Sequence, residues 1–384
     1  MNLLVNATSV GTGALTGIER FGLRISQELC RIDPTVRIVG MQDIPGVPNV
    51  TKPRLLDFGK RLLTRKEYLL RAVWDQTVFR YQAIKSRADV VFFPIQDGML
   101  RPPMSQIVTV HDLHYRHFDR NIAECKDEIS GLRKAIYRIK MPQILSNSAA
   151  VVAVSDTTKR DLVDTFGVSI DKIHVVYNGY DEERFRVIGE PDGVLRRYGL
   201  LRGRYFLFVG SILRHKNLDR LVQALGQLDG EICLVVAGVC KDASYLHQVK
   251  DTVRSLGLSP ERIRFQSYVP DQDLPYLYNG ALALVLPSLH EGFGVPLVEA
   301  MACGTPVITS NTSAMPEVAG NAALFVEPCS VESIAGGLRE IAADSGLRDR
   351  LRMRGFERAK MFRWSSSARR LYSLCQSVCA QGAS

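Results

Sequence analysis

Two glutamates and two glycines stand together in one short stretch of this sequence. The stretch follows an apolar run and reads Glu291-Gly-Phe-Gly-Val-Pro-Leu-Val-Glu299, with seven residues between the acids. Glycines let the backbone approach a ligand closely, and Pro296 fits the first turn of a helix whose amides would face that ligand. Carboxylates beside such a ligand site are suited to accept hydrogen bonds from the hydroxyl groups of a sugar or a ribose. The alternative is that both acids only stabilise the helix N-terminus, where the helix dipole favours negative charge.

Two basic residues elsewhere in the C-terminal half indicate phosphate binding. Arg214 and Lys216 come just after the apolar run 205–210 and begin a predicted helix. Cations and amides at a helix start bind phosphate and can neutralise the charge that develops on a leaving oxygen. In the alternative, both are solvated charges at a helix start.

The N-terminal half has candidate residues where its predicted strands end. Residues 10–20 are rich in glycine, follow the first apolar run and open a helix, which favours a ligand-binding loop over a plain turn. His111 and Asp112 follow another apolar run. Ser155 follows a third, where its hydroxyl fits the N-cap of a helix.

A metal site is not expected. His111, His114 and His117 recur at a spacing of three, but no acidic or cysteine partner stands at metal-ligand spacing. Asp271 and Asp273 form the only Asp-x-Asp and fit a helix N-cap. The eight cysteines are scattered without a C-x-x-C pair, which argues against a zinc site or a disulfide framework.

The elements that must position these residues alternate between strands and helices in both halves. Near-continuous apolar runs separated by amphipathic stretches predict α/β domains with parallel sheets covered on both faces. A length of 384 residues suits two domains. Residues 181–204 are polar and rich in Gly, Arg and Glu, so we predict a linker between a domain of residues 1–180 and one of residues 205–364. Two such Rossmann-like domains place a ligand cleft at the carboxyl ends of their strands.

The net charge of +9 is concentrated in one segment. Residues 52–87 hold ten basic and three acidic residues, interleaved with Leu, Phe, Tyr and Trp. Nucleic acid is not expected as a partner, because no zinc-finger, RRM or basic-zipper pattern accompanies the charge. The composition instead predicts contact with an anionic membrane surface. The alternative is a helix that packs its leucines on the sheet and keeps its charges solvated.

The location in the cell follows from what the sequence lacks. No stretch approaches the ~18 apolar residues of a membrane-spanning helix, and the N-terminus does not fit a signal peptide. We therefore expect a cytoplasmic protein, peripheral at the inner face of the cytoplasmic membrane.

The acidic stretch resembles the E-x7-E signature of glycosyltransferase family 4, retaining nucleotide-sugar enzymes with the GT-B fold. The resemblance extends to Phe208-Val-Gly-Ser211, Lys216-Asn-Leu218, Tyr268-Val-Pro270, Met315-Pro-Glu-Val-Ala-Gly320 and Phe362-Arg-Trp364. It is close over residues 205–364 and looser over residues 1–180. It implies two Rossmann-like domains facing a central cleft, with residues 181–204 as linker and a C-terminal helix, residues 365–384, crossing back onto the N-terminal domain.

The resemblance also implies roles for individual residues. Glu291 would hold hydroxyls of the donor sugar, Glu299 the ribose, and Lys216 with Arg214 the diphosphate. Many members carry an arginine just after the strand glycine, where this chain has Ser211. His111 would lie near the sugar 6-hydroxyl or the acceptor. The remaining implied contacts are Gly13, Gly17, Ser211, Tyr268, Val269, Gly292, Phe293, Gly294 and Val295 with the donor, and Asp112 and Ser155 on the acceptor side.

The implied reaction is transfer of a hexose from a nucleoside-diphosphate sugar with retained stereochemistry, and it needs no bound metal or other cofactor. GDP-mannose is the first expected donor, by similarity to bacterial mannosyltransferases of O-antigen and capsule assembly. UDP-glucose, UDP-GlcNAc and dTDP-rhamnose are alternatives. The expected acceptor is a saccharide or a polyprenyl-diphosphate-linked glycan. Other readings are a non-catalytic sugar-nucleotide-binding protein and a GT-B epimerase or phosphorylase.

Overall fold

The computed structural model describes residues 1–8, 10, 17–48, 50–52, 71–113 and 131–382, and for residues 131–136 it describes the backbone alone. These residues form two compact units. The first comprises described residues up to 113, residues 131–179 and the helix from Trp364 onward; the second comprises residues 180–363. Within these described ranges, no helix is both long and apolar enough to cross a bilayer.

The first unit is built on a sheet of six parallel strands within the described residues, in the order β2-β1-β3-β4-β5-β6. Its strands are almost wholly buried because helices cover both faces, which explains their continuous apolar sequence. The strands are β1 (Leu3–Asn6), β2 (Arg37–Val39), β3 (Val90–Phe93), β4 (Ser105–Val110), β5 (Ala150–Ala153) and β6 (Ile173–Val175).

The helices of the first unit come from both ends of the chain. They are α1 (Gly17–Ile32), a π-helix (Asp75–Phe79), α2 (Arg80–Lys85), α3 (Gly131–Asn147), α4 (Asp156–Phe166), a 3-10 turn (Ile170–Lys172) and the last helix, α13 (Trp364–Gly382). Helix α13 packs against α1 and joins the core with Leu371, Cys375 and Val378. At its start, the Trp364 ring contacts Phe21 of α1 edge-on at 5.8 Å between ring centres.

The second unit has a sheet of the same kind, again counted over described residues. Its six parallel strands run in the order β12-β11-β10-β7-β8-β9. They are β7 (Tyr205–Val209), β8 (Cys233–Ala237), β9 (Ile263–Gln266), β10 (Ala283–Leu286), β11 (Val307–Ser310) and β12 (Leu324–Val326). The chain reverses its direction across the sheet between β7 and β10, and ligands of such sheets bind at this switch point. The predicted α/β class of doubly wound parallel sheets is confirmed.

The helices of the second unit surround this sheet. They are α5 (Asp192–Arg197), a 3-10 turn (Arg214–Lys216), α6 (Leu218–Gly226), α7 (Ala243–Ser255), α8 (Leu274–Gly280), α9 (Val295–Ala302), α10 (Met315–Ala319), α11 (Val331–Ala343) and α12 (Ser345–Ala359). The predicted linker, residues 181–204, lies within this unit. Leu195 of α5 is buried, and the Ile188 amide donates to Asn279 Oδ1 of α8 at 2.8 Å. The segment therefore packs on α8 despite its polar composition.

Candidate active site

The loops that follow β7 and β10 meet at the switch point of the second sheet. The Leu289 amide donates a hydrogen bond to the His215 carbonyl at 2.7 Å. Asn217 adopts the left-handed conformation, with φ of 62°, and its buried amide donates to the carbonyls of Pro287 and Pro328 at 2.9 and 2.7 Å. One asparagine thus joins the ends of three loops, and it sits between Lys216 and the first residue of α6.

Lys216 and Glu291 form the central contact of this site. The Lys216 ammonium donates to Glu291 Oε1, and the Ser288 hydroxyl donates to the same oxygen at 2.8 Å. Their side chains are only 14% and 11% exposed. Burial alone would raise the pKa of Glu291, but the Lys216 and His215 charges and these hydrogen bonds outweigh it and hold that pKa below its usual range. Glu291 is therefore a carboxylate at neutral pH.

The backbone of Glu291 is held as firmly as its side chain. Its amide donates to Ser313 Oγ at 3.0 Å, and the Ser313 hydroxyl donates back to the Glu291 carbonyl at 2.6 Å. Three residues later, Gly294 has φ of 91° and caps α9, with Pro296 in the first turn as predicted. A Cβ on Gly294 would lie 2.5 Å from Met315 Cε. Both the conformation and this close approach require glycine.

Two other residues of the E-x7-E stretch point into the unit instead of toward solvent. Glu299 is 4% exposed, and Tyr278 donates its hydroxyl proton to Glu299 Oε2 at 2.9 Å. Phe293 is also buried, with its ring edge-on to Phe362 at 5.4 Å. Gly292 is buried and Val295 partly so. The predicted donor contact of Phe293 and the predicted ribose role of Glu299 therefore stay predictions.

Arg214 lies apart from the Lys216–Glu291 pair. Its guanidinium donates to Gln248 Oε1 at 2.9 Å, lies 3.6 Å from an Asp242 carboxylate oxygen, and covers the Tyr245 ring at 5.3 Å from its centre. These partners belong to the start of α7, and a cavity of about 400 Å³ opens there beside α6. The side chain is thus engaged away from Glu291, and a joint phosphate clamp with Lys216 stays a prediction.

The remaining predicted donor contacts lie at loop ends in the second unit. Ser211 is partly buried next to Gly210, whose φ is 150°. A Cβ on Gly210 would touch the Lys216 side chain at 3.7 Å, so this glycine adjoins the lysine stem. Tyr268 is 51% exposed, whereas Val269 is buried. An exposed aromatic ring at the end of β9 is available to stack on a base.

His111 is the principal candidate in the first unit. It is 5% exposed, its Nε2 is 2.8 Å from the Pro94 carbonyl, and the Phe21 ring meets it edge-on at 4.9 Å. Burial lowers the pKa of His111 despite the Pro94 contact and nearby Asp112, so the ring is neutral at pH 7. Because a carbonyl can only accept, the proton is on Nε2 and Nδ1 is left as an acceptor.

The other predicted residues of the first unit have more ordinary surroundings. Ser155 is fully buried and caps α4 by accepting from the Thr158 amide at 3.0 Å, as its sequence position predicts. Asp112 is partly buried just after β4, and Gly17 begins α1 in an exposed position. Gly13 lies outside the described residues, as do His114 and His117.

A buried polar cluster in the first unit was not predicted. It contains Asn6, Asp75, Asp97 and Lys140, which are 69, 22 and 43 residues apart along the chain in the order given. No short motif links them, and Asp75 lies within the basic segment 52–87, whose composition predicts a surface contact instead. In the part of the chain that the structure describes, no group of three or more His, Cys, Asp or Glu side chains is arranged to hold a metal.

Both halves of the chain match known glycosyltransferase families. A family model described as "Glycosyltransferase Family 4" matches residues 15–184, and one described as "Glycosyl transferases group 1" matches residues 199–358. O-antigen chain mannosyltransferase B of Escherichia coli is 28% identical over 92% of this chain and 93% of its own. O-antigen chain mannosyltransferase RfbU of Salmonella typhimurium is 30% identical over 62% of this chain and 61% of its own.

The solved structures show the same fold. A sucrose-phosphate synthase from Thermosynechococcus elongatus superimposes with a TM-score of 0.77 over 99% of both chains, at 20% identity. At that identity the likeness concerns the fold alone. The two family models together span most of the sequence and include the switch-point site and strands β2 to β6 of the first sheet. The chain therefore belongs to glycosyltransferase family 4, and the protein is a glycosyltransferase of the GT-B fold.

Proposed function

We propose that this enzyme transfers mannose from GDP-mannose, with retention of configuration, to a hydroxyl group of a saccharide or lipid-linked glycan during cell-surface polysaccharide synthesis. The observation that carries the chemistry is the shielded Lys216–Glu291 pair at the switch point of the second sheet. The choice of mannose as the transferred sugar is supported by two relatives that are named as O-antigen mannosyltransferases. The acceptor class is supported by the same two names.

The pair supplies what cleavage of a nucleotide sugar requires. When the bond from the anomeric carbon to the diphosphate breaks, its electrons stay on the diphosphate oxygen, and negative charge grows there. Lys216 neutralises that charge in a site with little water, where one fixed cation has a large effect. Glu291, released from Lys216 as the diphosphate takes its place, accepts hydrogen bonds from hydroxyls of the donor sugar.

The proton and the new bond have defined destinations in this proposal. The acceptor oxygen attacks the anomeric carbon on the face that the diphosphate leaves, through an oxocarbenium-like state. The acceptor's hydroxyl proton passes to the departing diphosphate oxygen, so no carboxylate nucleophile is required, unlike the double displacement of many retaining hydrolases. In the first unit, His111 Nδ1 accepts a hydrogen bond from a sugar hydroxyl and keeps its own proton on Nε2.

A donor panel tests the proposal most directly. Purified full-length enzyme would be incubated separately with GDP-mannose, UDP-glucose, UDP-GlcNAc and dTDP-rhamnose, and nucleotide release measured. We expect GDP release from GDP-mannose to exceed release from every other donor by at least tenfold. A Lys216→Met control should abolish the signal and so exclude contaminating hydrolases. Faster turnover of a UDP or dTDP sugar would overturn the donor, and an inverted anomeric configuration in the product would overturn the mechanism.

A further inference from the structure

A cluster of buried polar side chains lies at the carboxyl edge of the first sheet. Asn6 ends β1, Asp97 follows β3, Asp75 begins the π-helix, and Lys140 belongs to α3. Asp75 is fully buried, and the other three are between 4% and 7% exposed. None of them belongs to the site described above. Burying a polar side chain is costly unless it has hydrogen-bond or charge partners, so the partners of each side chain indicate its role.

Lys140 and Asp97 satisfy each other. The Lys140 ammonium donates to Asp97 Oδ1 at 2.9 Å, and the two side chains are 8% and 6% exposed. The pair is neutral as a whole. A third charge buried beside this neutral pair is costly unless it has a counter-ion of its own.

Asp75 is that third group. Its Oδ1 accepts a hydrogen bond from Asn6 Nδ2 at 2.8 Å, while its Oδ2 has no hydrogen-bond partner among the described residues. Burial and the Asp97 carboxylate raise the pKa of Asp75 well above its usual range. Lys140, Arg71 and the Asn6 hydrogen bond act in the opposite direction but are outweighed. The burial of Asp75, the single hydrogen bond that it accepts and the direction of this pKa all favour its protonated form.

Asn6 also forms hydrogen bonds with the turn that follows it in the chain. Its Oδ1 accepts from the Thr8 hydroxyl at 2.6 Å and from the Thr8 amide at 3.2 Å. The Val10 amide then donates to the Ala7 carbonyl at 3.1 Å, which closes the turn. This turn leads directly into the glycine-rich residues 11–16, which lie outside the described residues and which the sequence predicts to contact the donor diphosphate and the acceptor.

We propose that Asp75 is a positioning residue, whose buried, uncharged carboxyl group fixes the Asn6 side chain and thereby the turn that leads into the glycine-rich segment. The π-helix holds Asp75 for this role. Its next residue, Gln76, donates to the Gly98 carbonyl at 2.9 Å and accepts from the Leu100 amide at 2.8 Å. Such π-turns often occur at functional sites, where they aim a side chain that a regular helix would misplace.

Ionisation of Asp75 would place an unpaired charge beside Asp97 and disturb this turn. Transfer should therefore decline at alkaline pH, and Asp75→Asn should remove that decline because an amide keeps the Oδ1 acceptor without titrating. Asp75→Ala and Asn6→Ala should both lose the contact at every pH. The activity readout rests on the proposed function, so two further readouts are chosen that do not.

The experiment compares wild type, Asp75→Asn, Asp75→Ala and Asn6→Ala between pH 6 and 9.5, with GDP-mannose turnover and the thermal unfolding midpoint measured for each. Infrared difference spectra of wild type minus Asp75→Asn at pH 7 report the C=O band of a protonated carboxylic acid. We expect that band to be present. We expect Asp75→Asn to keep turnover within about threefold of wild type at pH 7 and to exceed it at pH 9.5, and both alanine variants to lose at least tenfold.

Three results would overturn the proposal. The first is the absence of the C=O band of a protonated carboxylic acid from the infrared difference spectrum. The second is an equal decline of turnover at alkaline pH in wild type and Asp75→Asn. The third is an Asp75→Asn variant that has lost as much turnover as Asp75→Ala. If wild type does not turn over GDP-mannose, the proposed donor fails. The infrared band and the pH dependence of the two unfolding midpoints then still decide whether Asp75 is protonated. In that case, a midpoint that falls with pH equally in both proteins contradicts the inference.

Discussion

The Lys216 ammonium and the Glu291 carboxylate are withdrawn from most of the solvent but are not deep in a core. Removing two charges from water costs several kcal/mol each, which their attraction repays only when geometry and further hydrogen bonds are good. Here Ser288 supplies a second hydrogen bond to Glu291, and Ser313 fixes its backbone. Since well-packed apolar side chains would serve stability at least as well, this arrangement supports the catalytic role that we propose for the pair.

Lys216→Met tests the role of this charge. We expect kcat to fall by about 10²–10³-fold, because removing one preorganised charge-stabilising group from a transition state has this effect. The KM for the donor should change little, since the diphosphate charge that Lys216 meets grows during bond cleavage. Steady-state kinetics with GDP-mannose and the unfolding midpoint would be measured together. A rise in KM alone would reassign Lys216 to ground-state binding.

Glu291→Gln removes the charge and retains the shape of the side chain. We expect a loss of roughly 1.5–3 kcal/mol in transition-state stabilisation, the value of a charge-assisted hydrogen bond. The variant should unfold at a lower temperature than wild type, because Glu291→Gln leaves the shielded Lys216 ammonium without its counter-ion. Since the pKa of Glu291 lies below its usual range, its carboxylate persists as the pH falls through the range in which an ordinary glutamate protonates. A well-folded Glu291→Gln enzyme with unchanged kcat/KM would contradict the assignment.

Individual residues also show where sequence reasoning reached its limit. The positions of Lys216 and Glu291 at strand ends predicted that both belong to one edge, because carboxyl ends of parallel strands share an edge. The direction of each side chain depends on partners distant in sequence. Arg214 turns to Asp242 and Gln248, and Glu299 turns inward to Tyr278. No local pattern contains that information.

At the scale of elements, helix α11 offers a sharp test of packing. Gly336 and Gly337 are adjacent on this helix, yet a Cβ at Gly336 would meet nothing within 4 Å, whereas one at Gly337 would lie 2.7 Å from Val326 Cγ1 of β12. We expect Gly336→Ala to raise the free energy of unfolding by about 1 kcal/mol through helix propensity. Gly337→Ala should lower it by about 1–3 kcal/mol through overpacking.

The two substitutions are matched in chemistry and position, so denaturant unfolding of both variants isolates the contact with the sheet. Equal effects, whatever their sign, would contradict the packing of α11 on β12. The unfolding of the second unit should be followed with a probe inside that unit, because a two-unit chain need not unfold in one step.

The basic segment 52–87 is the element whose role stays a prediction, since residues 53–70 lie outside the described part. In its described remainder, Val73, Tyr81 and Ile84 are 51–60% exposed, near the cations Arg80 and Lys85. Exposed apolar side chains among cations favour a lipid interface, with about 1 kcal/mol contributed by each cation near an anionic surface.

Liposome flotation tests that interface. Binding should require anionic lipid, weaken at high salt and fall when four cations become serine, namely Lys60, Arg61, Arg65 and Lys66. A control variant replaces four exposed cations of the second unit, namely Lys250, Arg254, Arg350 and Lys360. Equal flotation of both variants would leave the segment without a membrane role.

At the scale of the whole molecule, the alternation of apolar runs and amphipathic stretches was enough to predict two parallel sheets. Burial on both faces produces such runs, and the need to cover both faces dictates the helices between them. The packing of residues 181–204 on α8 could not be predicted in the same way. It depends on the buried side chain of Leu195 and on the hydrogen bond from the Ile188 amide to Asn279. Neither contact can be inferred from the polar composition of the segment.

We expect the transfer reaction to proceed without a divalent ion. If Lys216 neutralises the diphosphate, as we propose, the charge balance of bond cleavage is met by the chain itself. Turnover of GDP-mannose in excess EDTA should therefore equal turnover in buffer. Complete loss of turnover, restored by Mg²⁺ or Mn²⁺ but not by K⁺, would show that a metal shares this role.

The return of α13 to the first unit has a consequence for synthesis of the chain. About 330 residues separate α1 from α13, and at roughly 5–20 residues per second a ribosome needs roughly 17–66 s to produce them. Until then Phe21, Ile25 and Leu29, the core face of α1, are without the helix that covers them in the finished protein. The second unit can complete its own sheet first. The nascent first unit thus lacks part of its apolar core until residues 364–382 have been synthesised.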